Sequence, residues 1–139
     1  MTPDEANELF ARHCAAESAK DLPEIMATLA DGAEHDVVGD PDGVLTDRGA
    51  IEKRYRALFD IFANDTLTPL RRYYGSDFFV DESLLEGDVV GDFMGLPGRN
   101  RRVSFRILHV CETRDGLISR ENVWMDAAAI VAQLSPGQQ

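Results

Sequence analysis

Apolar positions recur at helical spacing through the first half of the chain and alternate through the second. Ala6, Leu9, Phe10, His13 and Cys14 share one face of a helix that starts at Thr2. Thr2 can cap it, Pro3 suits the first helical position, and Glu5 stands three residues past the cap. A second start follows at Asp21, with Leu22, Ile25, Met26 and Leu29 as the apolar face and Asp31-Gly32 as the stop. Ala33 to Val38 reads as a short strand whose two faces are too alike to orient, and 39–43 as a loop. Asp47 can cap a third helix, in which Ile51, Tyr55, Leu58, Phe59 and Phe62 recur down to Asn64.

From Thr66 the period changes to two. Thr66 to Tyr74 and Phe78 to Leu85 are predicted strands, with Glu86-Gly87-Asp88 as a turn and a further strand from Val89 to Met94. Phe78, Val80, Glu82 and Leu84 form the more apolar row of the second strand, so that row is expected to face inward. Val103, Phe105, Ile107, His109 and Cys111 line one face of a long strand up to Thr113. Asp115-Gly116 is a strong hairpin signal. The returning strand places Ile118, Arg120, Asn122 and Trp124 on one face and Ser119, Glu121, Val123 and Met125 on the other. A short helix follows, from Ala127 to Leu134 behind Asp126. Helices followed by a run of antiparallel strands predict one α+β domain over residues 1–139.

Composition narrows the function. A formal charge of −11 argues against nucleic-acid and anionic-membrane partners, which need a basic surface. No leader or long apolar run opens the chain, so a cytoplasmic protein is expected. Cys14 and Cys111 match no metal spacing and read as small buried hydrophobes; no metal and no cofactor are expected. Any chemistry then rests on protonic side chains.

Isolated polar residues on apolar rows are the candidates for it. Glu82 on such a row would have its pKa raised by desolvation, unless it pairs with Arg72 or Arg106. His109 is the sole polar member of its row and titrates near neutrality; it is either a proton carrier or a core histidine bonded to a carboxylate. His35 is a further candidate, with Asp36 placed to orient a histidine. His13 is either a pocket group or a half-buried surface residue. Asp126 is either a helix cap or an acid at a pocket mouth. Tyr55, Phe59, Phe62, Phe105 and Trp124 could form pocket walls, or simply core, and Asn122 could hold a substrate oxygen.

The segments "FARHCAAESAKDLPEIMATLADGAEHDVVGDP", "GAIEKRYRALFDIF" and "FRILHVCETRDGLISRENVWMDAAAIVAQL" together resemble the nuclear transport factor 2-like superfamily. Within it they look like the SnoaL-like branch, which includes polyketide cyclases. The resemblance implies a cone: a curved sheet wrapped on three helices around an internal pocket, often dimeric through the sheet's outer face. It also implies a late carboxylate acting as general acid/base in the cyclases, for which Asp126 is the nearest match by position. The expectation is a cofactor-independent cyclase, isomerase or dehydratase-type lyase acting on a small, largely apolar carbonyl compound. The alternative is a ligand-binding or dimeric interaction module without chemistry. A buried cavity holding two or more titratable groups in hydrogen-bond reach would favour the enzyme.

Overall fold

The computed structural model describes residues 1–137. Its helices are α1 (Pro3–Ser18), α2 (Leu22–Ala27), α3 (Arg48–Phe59) and α4 (Ala127–Leu134). Each begins where a side chain can satisfy free backbone N–H groups. Thr2 and Glu5 form the expected capping box at α1, and Asp21, Asp47 and Asp126 cap the other three. The strands are β1 (Leu29–Val37), β2 (Val44–Leu45), β3 (Phe62–Tyr74), β4 (Phe78–Val89), β5 (Asp92–Phe93), β6 (Leu96–Pro97), β7 (Arg101–Arg114) and β8 (Leu117–Met125).

Six strands form a mixed sheet in the order β2-β1-β8-β7-β4-β3, parallel only between β1 and β8. Bulges interrupt β1–β8, β3–β4 and β7–β8. Each puts extra residues into one strand, three in β1 between Leu29 and Glu34, and bends it, which curves the sheet around α1–α3. This is the α+β cone that the resemblance implies. No described helix is long and apolar enough to cross a membrane.

Several local expectations are corrected. The second helix stops at Thr28, and Leu29 already pairs with Ile118 of β8; sheet hydrogen bonds outweigh a marginal helical turn. Gly32 sits at φ +70 within the β1 bulge and ends no helix. The third helix stops at Phe59, so Phe62 opens β3. Residues 86–88 are not a turn: β4 runs on to Val89. Gly87 is there for close approach, because a Cβ on it would meet Asp65 Cβ at 2.9 Å beside the β3 bulge. The predicted strand from Val89 to Met94 is instead a two-residue strand, β5, hairpinned onto β6 through Met94-Gly95, both at positive φ. Asp115-Gly116 makes the tight hairpin that the sequence announces, also with both φ positive.

β4 is turned over relative to expectation. Phe79, Asp81 and Ser83 are buried, whereas Phe78 is exposed. Asp81 tolerates burial because Arg72 and Ser83 donate hydrogen bonds to it. Two apolar clusters fill the interior. Phe10, Ile25, Phe79, Cys111 and Ile118 pack under α1 and α2. Phe62, Phe93, Phe105, Val123 and Ile130 pack at the α4 end. Full burial of each of these large side chains contributes roughly 1.5–3 kcal/mol.

Candidate functional site

A cavity of about 600 Å³ draws its walls from both clusters. Tyr55, Leu58 and Phe59 of α3 face Phe62, Phe105, Ile107 and Val123 of the sheet across it. His35, His109 and Glu121 are polar groups of its sheet wall, with Asp65 of β3 a further one.

Glu121 is the centre of the polar network. It is 2% exposed, and a carboxylate there requires partners. Tyr55 Oη donates to Oε1. His35 Nε2 lies 3.1 Å from Oε1, and His13 Nε2 lies 3.2 Å from Oε2. His109 Nε2 stands 3.9 Å from Oε2, beyond hydrogen-bond reach.

The hydrogen bonds fix two of the three protonation patterns. Thr28 Oγ1 gives its only proton to the Ile25 carbonyl at 2.6 Å, so it accepts at 2.7 Å from His13 Nδ1–H. His13 Nε2 faces the carboxylates of Glu121 and Glu17, at 3.2 and 3.4 Å. A proton on each ring nitrogen satisfies all four groups. Burial works against that charge, but Glu121 and then Glu17 outweigh it and push the His13 pKa up to about 10. Arg54 donates to His35 Nδ1 at 3.3 Å and to the His35 carbonyl at 2.9 Å. His35 Nδ1 therefore accepts, and its single proton is on Nε2, facing Glu121. Burial alone would raise the Glu121 pKa, but His13 and His35 hold it well below the carboxylate range. Burial, followed by the Glu121 charge, keeps Tyr55 a phenol.

His109 differs from the other two. Among the described residues its Nδ1 has no hydrogen-bond partner, and the ring packs edge-on against Phe10 at 5.2 Å. Burial pushes its pKa down and the more distant Glu121 only partly restores it, so His109 is neutral at neutral pH. A neutral imidazole on a cavity wall beside a fixed carboxylate can take up a proton and have the resulting charge stabilised.

The structure thus brings His35, His109, Tyr55, Phe59, Phe62 and Phe105 to one cavity. It places the other candidates outside that cavity. Glu82 lies on the sheet's outer face, ion-paired to Arg106, because β4 presents its other row inward. Asp36 is also on the outer side; it accepts from Arg120 and Asn122 and orients no histidine. Asn122 bonds Asp36 and Trp124 instead of facing the cavity, and Trp124 is 50% exposed. Asp126 is the cap of α4, accepting from Ala129 N–H at 3.1 Å.

Sequence reasoning missed Glu121 as a site residue, and with it Glu17 and Arg54. The signal was present: Glu121 is a lone carboxylate on the row it shares with Val123 and Met125. It was obscured by Ser119, the extra residue at the bulge, which lets Ile118 and Glu121 both point inward.

The SnoaL-like domain family matches residues 10–121. No functionally curated protein matches the chain. Among solved structures, TsrD from Streptomyces laurentii superposes with a TM-score of 0.83 at 21% identity, covering 97% of this chain and 98% of that one. A protein of Jannaschia sp. CCS1, provisionally described as a SnoaL-like polyketide cyclase, gives 0.85 at 17% identity over 98% and 96%. One from Xanthomonas campestris pv. campestris, provisionally described as a polyketide cyclase, gives 0.83 at 19% over 95% and 98%. Likeness at these identities carries the fold and leaves the chemistry to the site.

Proposed function

The chain belongs to the SnoaL-like family, and on that premise we propose that it is a proton-transfer enzyme of the cyclase, isomerase or dehydratase type. Its substrate is a small, largely apolar carbonyl compound, held against Tyr55, Phe59, Phe62 and Phe105. His109 takes a proton from the carbon beside the carbonyl. Glu121 stabilises the imidazolium that forms, and His13, His35 and Tyr55 keep Glu121 ionised and fixed. The late carboxylate that the family resemblance assigns to Asp126 is, on this reading, Glu121.

One observation carries the proposal. An apolar cavity ends at a buried carboxylate whose neighbouring histidine, His109, leaves Nδ1 without a partner among the described residues and lies beyond hydrogen-bond reach of Glu121. Positioned proton transfer of this kind contributes roughly 10²–10⁴-fold in rate. The test needs no knowledge of the natural substrate: deuterium exchange beside the carbonyl of small enolisable ketones, followed by NMR. Wild type accelerates exchange, and His109→Ala loses that acceleration 10²-fold or more. Equal rates in the two proteins overturn the proposal.

The competing reading, a binding module without chemistry, is favoured by the completeness of the Glu121 contacts, since both its oxygens already accept hydrogen bonds. It expects ketone binding with no exchange by wild type. We further propose a cytoplasmic homodimer paired through the sheet's outer face, where Trp124, Tyr73 and Phe78 stand exposed.

A further inference from the structure

We propose that His13, Glu17 and Glu121 form a site for one divalent first-row transition-metal ion at the inner end of the cavity. His13 and Glu17 are four residues apart on α1 and so project from one helix face, and Glu121 meets them from β8. One donor atom from each lies within 4.8 Å of the other two. The His13 Nε2 separations, 3.2 Å to Glu121 Oε2 and 3.4 Å to Glu17 Oε2, are long for charge-assisted hydrogen bonds, which run about 2.7–2.9 Å. They suit neighbouring ligands of one ion, since donors about 2.0–2.2 Å from a shared metal stand roughly 3–3.5 Å apart.

A second, independent observation points the same way. His109 is 5% exposed and its Nδ1 has no partner among the described residues, while its Nε2 stands 3.9 Å from the same Glu121 Oε2. A buried polar side chain held just outside hydrogen-bond reach of a cluster is placed to approach an ion bound there. His13 Nδ1–H is committed to Thr28, as in metal-bound histidines, so an ion would displace only the Nε2 proton that now faces the two carboxylates. Charge agrees. Two carboxylates and one imidazolium leave a negative charge over, and the one ion pair of Glu17 among the described residues is with His13. A divalent ion with neutral His13 cancels it.

One imidazole and two carboxylates suit zinc, manganese, iron or cobalt better than soft ions. The sequence shows no metal signature because the third ligand lies about a hundred residues beyond the helical pair. The ion site stands apart from the acid–base reading, although an ion would share Glu121 Oε2 with His109.

The probe is Co²⁺ added to chelator-stripped protein, read by its visible absorption. One Co²⁺ binds per chain in the micromolar range, and Zn²⁺ displaces it. Glu17→Gln, at a half-buried position, keeps the far-UV spectrum and weakens Co²⁺ binding at least tenfold; His13→Gln abolishes it. Absence of a Co²⁺ spectrum at millimolar metal, or undiminished binding by Glu17→Gln, overturns the proposal. Ketone exchange measured in parallel separates the two ideas. Co²⁺ binding without exchange sinks only the acid–base reading, and exchange without Co²⁺ binding sinks only the ion site.

Discussion

At the scale of single residues, the pair His13–Glu121 makes stability depend on pH in a defined direction. The folded-state pKa of His13 is raised from 6.5 to about 10. Its contribution is therefore complete below pH 6.5 and is lost as pH rises towards 10. Glu121 is depressed below its ordinary 4.5, so its contribution is complete above that value and is lost at lower pH. Thermal melts in chelator should show Tm falling from pH 6.5 to 10 in wild type and a flatter profile in His13→Gln. A parallel decline in the two proteins would remove His13 as the cause. Glu82 makes the contrasting prediction. Its bond is to Arg106, whose side chain is 66% exposed, and such pairs contribute at most about 1 kcal/mol. Glu82→Gln should leave ketone exchange at the wild-type rate, as measured by the same NMR assay.

At the scale of elements, what was legible followed from local chemistry. Thr2, Asp21 and Asp47 announced helix starts because capping is a contact over three residues, and Asp115-Gly116 announced its hairpin because only certain residues accept positive φ. The inward row of β7 was legible because His109 is its one polar interruption. Helix ends were not legible. Leu29 and Phe62 continue a helical apolar spacing, but strand partners from elsewhere in the chain claim them. The face of β4 misled for a related reason: Asp81 is buried by virtue of Arg72 and Ser83, which donate to it, partners that alternation cannot reveal. Asp126 now has a purely structural prediction. Asp126→Ala should cost about 1 kcal/mol in urea unfolding through loss of the α4 cap, with exchange unaffected. A large loss of exchange with no loss of stability would return Asp126 to the site.

At the scale of the whole molecule, the cone divides its apolar surface between two uses. The inner face lines the cavity, and the outer face leaves Trp124, Tyr73 and Phe78 in solvent. Three aromatic side chains exposed on one sheet face are what motivates the proposed pairing. Trp124→Glu should convert the proposed dimer to monomer in sedimentation velocity without altering the far-UV spectrum; a wild type that already sediments as a monomer refutes the pairing.

One residue, Ser119, sets the phase of an entire strand. Alternation along β8 is a binary count, and the extra residue at the bulge advances it by one step. Without that step, the side of β8 now carrying Glu121, Val123 and Met125 would trade places with the side carrying Arg120, Asn122 and Trp124. The chamber would exchange an anionic lining for a cationic and aromatic one with no side chain replaced. Insertion and deletion at this hairpin is therefore a route by which one scaffold could change the polarity of its interior in a single event, faster than point substitution could rebuild it.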